Sequence, residues 1–245
     1  MDTLEQVKQV GMVRRLSADH WDKLTTACSE LRDVPARTVL TKKAHFIPES
    51  QLLISGLMGR HVPGPDQTVR QLVALQVPGD FVDLHSFPSE VLDHDVTSVT
   101  DIQLAIFPHE NLRELMDGDL DLTIALWELT IIDAAIHRHW SYRMGALRAL
   151  SSVANFLCEM ELRYRLAGMT DGPCFTLPMT QSDIGEACGM TSVHVSRMLR
   201  DLRAAGCCTI ENGKVTILDR TRLRDVGKFD PQFLYLNSID GFDTD

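Results

Sequence analysis

The chain has 245 residues, 44% of them hydrophobic and 24% charged, with a formal net charge of −10. Those proportions fit a soluble globular protein with apolar material for two cores, and the acidic balance excludes a protein coated in nucleic acid. The most apolar stretch, Leu120 to Ile136, is interrupted by Asp121, Glu128 and Asp133, and the start Met1-Asp2-Thr3-Leu4-Glu5 is unlike a signal peptide, so a cytoplasmic protein away from membranes is expected.

Leu4 to Leu31 carries helical spacing and predicts a helix packed against a β-rich region beyond it. Short β-forming runs make up that region: Arg37 to Leu40, Leu52 to Ser55, Val69 to Val77, Val96 to Thr100 and Gln103 to Ile106. Turn chemistry separates them at Ser55-Gly56, Pro63-Gly64-Pro65-Asp66 and Pro78-Gly79-Asp80. Many short strands at this spacing predict an antiparallel barrel or roll.

The character changes after Asp117-Gly118. Ile124, Trp127, Ile131, Ala134, Arg138 and Ser141 fall on alternating three- and four-residue steps, which is a heptad seam. A second face carries Leu122, Leu126, Leu129, Ile136 and Trp140. A helix with two apolar faces needs two partners, and the expected pair is its own barrel and a second copy of the chain. The bland alternative is a helix buried within one subunit. Another helix is expected over about Ala146 to Ala167, with Leu147, Leu150, Val153, Ala154, Leu157, Met160 and Leu166 inward and Gly168 at its end. Asp171-Gly172-Pro173 reads as a loop.

The stretch from Thr180 to Leu218 is the most informative. Thr180 is an N-cap with Asp183 in the capping-box position, Gly189 ends the helix, and Thr191 caps a second one. Two short helices joined by a Gly turn make a helix-turn-helix. Ile184 and Ala187 should face inward on the first helix, and Val195, Leu199 and Leu202 on the second. The opposite face of the second shows Ser192, Ser196, Arg197, Arg200 and Arg203, short hydroxyls and long guanidiniums suited to a major groove. Asn212-Gly213 between β-formers predicts a hairpin, a wing with Lys214 at its tip beside a phosphate. From Thr176 to Arg224 there are seven cations and five anions, so this segment is +2 and the remainder −12.

The six cysteines, Cys28, Cys158, Cys174, Cys188, Cys207 and Cys208, form no CxxC spacing and read as free thiols, with adjacent Cys207 and Cys208 the pair worth testing. The order of elements, with Pro78-Gly79-Asp80-Phe81-Val82 and the segment from Leu177 to Leu202, resembles the Crp/Fnr family of bacterial transcription regulators over nearly the whole chain. The resemblance implies an α+β chain: a β-barrel sensor domain over 1–117 built as a cyclic-nucleotide-binding-like jelly roll, a dimerisation helix over 118–145, and a winged helix-turn-helix domain over 146–245.

It also implies a homodimer on two-fold symmetric double-stranded DNA, with RNA polymerase a further candidate partner. Base reading falls to Ser196, Arg197, Val193 and Arg200, and phosphate contact to Thr180, Ser182, Thr191, Ser192 and Lys214. Many members carry a Glu where this chain has Val193, which can instead pack on a thymine methyl. His194 is open between surface, phosphate and base contact.

Members that bind a cyclic nucleotide resemble one another in a Gly-Glu pair followed by an Arg and small residues. No such pair and no Arg lies between Gly79 and Pro108, while Asp83, Asp93 and Asp95 would repel an anion. The signal is therefore expected to be something other than a cyclic nucleotide, and its binding residues are unassigned. Asp83, His85, His94 and Asp95 raise a weaker metal reading, against the bland one of polar loop residues. No cofactor, metal or catalytic residue is assigned. The alternatives are a cupin-like metal enzyme, which lacks an HxH or HExxH motif and leaves the C-terminal module unexplained, and a scaffold that dimerises without touching DNA.

Overall fold

The structure is a computed structural model that describes residues 2–64 and 70–236. Internal contacts divide the chain into two units, Met1–Arg70 with Ala74–Ala134, and Gln71–Val73 with Ala135–Asp245.

The first unit opens with α1 (Asp2–Val7), a 3-10 turn (Gly11–Arg15) and α2 (Ala18–Ala27). The single helix expected over Leu4 to Leu31 is thus broken, and Leu31 lies in β1 (Glu30–Val34). The break has a packing cause. The backbones of Gly11 and Gly79 meet so closely that a Cβ on Gly11 would stand 2.3 Å from the Pro78 carbonyl oxygen. The Pro-Gly-Asp turn is closed by Asp80, whose carboxylate accepts from the Val77 amide at 2.9 Å.

The strands that follow are β2 (Val39–Thr41), β3 (Glu49–Ser55), β4 (Met58–Pro63), β5 (Arg70–Gln76, of which Gln71–Val73 group with the second unit), β6 (Asp95–Ser98) and β7 (Ile102–Pro108). Val69 and the Pro65-Asp66 half of its turn lie outside the described residues. The strands form two sheets, ordered β1-β7-β3 and β2-β6-β4-β5, antiparallel where their registers are described. They are open and not a closed barrel, in keeping with a jelly roll. Ile47, Leu53, Met58, Val82, Leu92, Val96, Ile102, Leu104 and Ile106 make up their core. β1 and β4 were not legible as strands, because β1 carries Glu30, Arg32 and Asp33 and β4 holds Gly59, Arg60 and His61 and ends on Pro63.

α3 (His109–Gly118) leads into α4 (Leu120–Ala146), which at 27 residues is about 40 Å long. Leu122, Leu126, Leu129, Ile136 and Trp140 are buried, while Ile124, Trp127 and Ile131 are exposed. Among the described residues no helix is long and apolar enough to cross a membrane.

In the second unit α5 (Ala149–Leu166) is buried on almost every side, including Asn155, Glu159, Glu161 and Arg163. It begins later than expected, and Leu147 and Leu150 are only half-buried. Glu159 lies within a set of donors: Arg143 Nη1 at 2.6 Å, Trp140 Nε1 at 2.9 Å and Arg163 Nη1 at 3.1 Å. Burial alone would raise its pKa, but Arg143, Arg163 and the indole N–H hold the carboxyl below its usual range. The Asp171-Gly172-Pro173 loop is a hairpin turn between β8 (Thr170–Asp171) and β9 (Cys174–Thr176). α6 (Gln181–Cys188), α7 (Ser192–Ala204), β10 (Cys208–Glu211), β11 (Lys214–Ile217) and α8 (Arg220–Gly227) complete the unit, with the third sheet ordered β10-β11-β9-β8.

Candidate nucleic-acid interface

α6 starts because Thr180 and Asp183 form a reciprocal capping box. The Thr180 hydroxyl accepts from the Asp183 amide at 3.1 Å, and the Asp183 carboxylate accepts from the Thr180 amide at 2.9 Å. It stops at Gly189, whose φ of 66° is left-handed. Thr191 caps α7 by accepting from the His194 amide at 3.3 Å. Each cap uses an oxygen lone pair and leaves the hydroxyl proton to donate outward. Thr180, Ser182, Thr191 and Ser192 are all exposed.

α7 buries Val195, Met198 and Leu202. Leu199, expected inside, is half-buried, and Met198 takes its place. The reason is helical phase: Val195, Met198 and Leu202 lie on one line at three- and four-residue steps, and Leu199 lies beside it. The outward face brings together Val193, Ser196, Arg197 and Arg200, all exposed, with Val193 at 73%. Among the described residues neither Arg197 nor Arg200 is held in an ion pair, whereas Arg203 pairs with Glu211 at 3.2 Å. A face of free guanidiniums, short hydroxyls and one bare valine can approach a polyanion closely and still touch an apolar group in it.

The wing turn is made by Asn212 and Gly213, at φ 51° and 78°, the geometry of a tight hairpin. Lys214 is exposed and stands opposite Glu211 in the register. The β9 strand, missed in the sequence, pairs Phe175 with Val215 and Thr176 with Lys214, so the wing is backed by a sheet. Arg143, at the end of α4, was also missed: its Nη2 donates to the Ala187 carbonyl of α6 at 3.4 Å, with its guanidinium 4.3 Å from the Trp140 ring. An Arg within a helical run gives no sign that it will be buried.

Of the seam residues, Ile124, Trp127, Ile131, Ala134 and Arg138 are all exposed in the single chain. The cysteines are free thiols, and burial pushes Cys208 up to about 12 and raises Cys207 and Cys188 as well.

Among the described residues no three of the four residues of the metal reading come together, although His85 and His94 stack with ring centroids 5.5 Å apart. Asp83 accepts from the Gln51 amide at 2.7 Å, Asp95 from the Lys43 amide at 2.8 Å, and His94 lies 2.7 Å from Asp93. Among the described residues the one trio of potential ligands that comes together is Asp19, His20 and Asp119, where the Lys23 ammonium sits 2.6 Å from each carboxylate. A serine–histidine–glutamate line was also unforeseen: Ser50 Oγ is 3.1 Å from His109 Nε2, and His109 Nδ1 is 3.6 Å from Glu90. Ser50 is fully buried and His109 only 2% exposed, so the line is sealed from substrate.

Residues 152–226 match the model of a Crp-like helix-turn-helix domain. The transcriptional activator protein FnrL of Cereibacter sphaeroides is 28% identical over 158 residues, 63% of each chain. The nitrogen fixation regulation protein FixK of Bradyrhizobium diazoefficiens is 29% identical over 177 residues, 70% of each. The chain thus spans a little under two thirds of FnrL's length. The solved structure of FixK2 from Bradyrhizobium japonicum superposes with a TM-score of 0.74 at 21% identity, covering 80% of this chain and 96% of that one.

Proposed function

Because the chain belongs to the Crp/Fnr family of transcription regulators, we propose that it acts in the cytoplasm as a homodimer that reads a two-fold symmetric DNA site and is not an enzyme. The observation that carries this reading is the outward face of α7. There Arg197 and Arg200 stand exposed, without ion-pair partners among the described residues, beside Ser192, Val193 and Ser196. In this reading Arg197, Ser196, Val193 and Arg200 meet base edges, while Thr180, Ser182, Thr191, Ser192 and Lys214 hold phosphates.

The second copy is drawn to the exposed Ile124, Trp127 and Ile131, continued by Ala134 and Arg138, whose heptad spacing suits a helix pairing with itself. RNA polymerase is a further candidate partner in this reading. The controlling signal enters at the jelly roll and is not a cyclic nucleotide: between Gly79 and Pro108 there is no Arg, and the buried Arg60 already holds Asp133. Such a signal would act by shifting the α4 seam, and with it the aim of the two recognition helices.

The test is an unbiased selection of duplexes by the purified chain, followed by affinity measurements over a salt series. A preferred palindrome should emerge, and Arg197→Ala should weaken its binding by ~1–3 kcal/mol per half-site. Selection that yields no preferred duplex, with cell extract metabolites present or absent, overturns the reading.

A further inference from the structure

α4 poses a problem that apolar burial does not solve. In its first-unit part it carries one apolar stripe inward, Leu122, Leu126, Leu129 and Ile132, and another outward, Ile124, Trp127 and Ile131. The two stripes are similar in size and chemistry. Within this part of the helix the apolar side chains alone do not choose between them, because either stripe would bury a comparable area. Something directional has to choose which stripe faces the sheets and which faces out.

One strongly directional contact lies between them. Arg60 on β4 is fully buried. Its Nη1 donates to both carboxylate oxygens of Asp133, at 2.9 and 2.7 Å. Its Nε donates to the Val82 carbonyl at 2.8 Å, and its Nη2 bonds the same oxygen. The guanidinium is therefore held by the Val82 carbonyl, with the Phe81 carbonyl oxygen 3.4 Å from Nη2, while Nη1 grips Asp133 of α4. Asp133 adjoins Ile132, which is buried, and Ala134, which is exposed. His85 Nδ1 stands 3.6 Å from the same carboxylate. Another ion pair to this half of the helix, Arg15 with Glu128 at 3.4 Å, uses a half-exposed carboxylate and constrains it less.

We propose that Arg60 and Asp133 form a phase lock, a pair of positioning residues that sets the rotation of α4 and so selects the stripe left for the second copy. Arg60 is buried and Asp133 partly so; ion pairs withdrawn from water contribute little net stability over apolar replacements of similar size, and their best-attested use is in fixing register. A fork with a fixed plane suits that task better than a flexible point charge. This inference rests on the homodimer of the proposed function.

The experiment uses the full chain with Cys28→Ser and Cys174→Ser, carrying one cysteine probe at a time, Ala134→Cys on the seam or Thr130→Cys beside it. Disulfide formation between copies is timed in the wild-type background and in the apolar double variant Arg60→Met/Asp133→Leu. The expected result is cross-linking roughly tenfold faster at position 134 than at 130 in the first background. In the double variant that ratio should collapse towards one while Tm changes little, a combination a merely structural role would not give. Full selectivity in a folded double variant overturns the phase lock and leaves the dimer standing. Light scattering that finds only monomer in the wild-type background overturns the dimer itself. Should the double variant fail to fold, Arg60→Lys decides. It keeps the charge but loses the grip on Val82, so reduced selectivity supports the lock and undiminished selectivity refutes it.

Discussion

Gly185 lies in the middle of α6, where alanine is ordinarily the better residue. Replacing an interior helical glycine by alanine gains about 1 kcal/mol in helix propensity. Here the turn between α6 and α7 folds back on it: a Cβ at Gly185 would stand 2.4 Å from the Met190 carbonyl oxygen, a backbone atom. The Met190 amide also donates to the Gly185 carbonyl at 2.9 Å, closing the turn. Opening that contact costs ~1–3 kcal/mol for overpacking and about 1 kcal/mol for the loosened hydrogen bond. Gly185→Ala should therefore be destabilising by roughly 1–3 kcal/mol net, with Tm falling several degrees and operator affinity falling with it as α7 is displaced. Gly145→Ala is the control. That glycine is also helical, in α4, and nothing lies within 4 Å of its Cβ position, so the same change should raise Tm slightly. Thermal unfolding of both variants, with binding to the selected duplex, separates the two effects. A Gly185→Ala protein that is stabilised as Gly145→Ala is would refute the argument that the helix-turn-helix is closed by this backbone approach.

Asp83 gives a pH prediction. Its complete burial raises its pKa to about 7, although the Gln51 amide and the Arg60 charge both oppose the rise. A carboxyl whose pKa is raised on folding binds its proton more tightly in the folded chain, so stability falls as pH climbs from the unfolded value of 3.8 to about 7. Asp83→Asn removes that loss, so in urea unfolding its gain over wild type should be larger at pH 8 than at pH 5. An equal gain at both would show that Asp83 is ionised throughout. Lys214→Ala should weaken all duplexes alike and reduce the slope of log affinity against log salt by about one per protomer. A change in sequence preference instead would make Lys214 a base reader.

The features legible in the sequence were those that neighbouring residues decide among themselves. The Thr180 capping box, the Gly189 stop, the Thr191 cap and the Asn212-Gly213 turn are closed within a few residues, and each stands in the structure at its expected place. The features that escaped depend on distant partners. The break at Gly11 comes from Gly79, and β9 exists because Lys214 to Thr216 pair with Cys174 to Thr176. A three-residue strand has no periodicity of its own. Met198 and Leu199 are equally apolar, and only the packed helix shows which one lies on the buried line. The exposed outward face of α7 was legible for the opposite reason: Arg197 and Arg200 are drawn into no ion pair among the described residues, so their surface character survives folding.

α4 joins these two kinds of information. Its heptad was visible because apolar residues at that spacing cannot hide in a sequence. Its orientation was not, because the groups that hold it are arginines, which a sequence alone assigns to the surface. Asp133 is held by Arg60 in the first unit, and in the second Arg143 ties Glu159 and the Ala187 carbonyl at the end of α6. Apolar surface supplies the adhesion in both places but tolerates rotation and sliding. A guanidinium bonded to a carboxylate and a backbone carbonyl tolerates neither, because any turn of the helix leaves a buried charge without its partner. For a helix that in the proposed dimer offers one chosen stripe to a second copy, and whose end keeps its place against the helix-turn-helix, that intolerance is the useful property. Substitutions at Arg60 and Arg143 should accordingly alter dimer geometry and operator affinity, respectively, by more than their change in Tm would suggest.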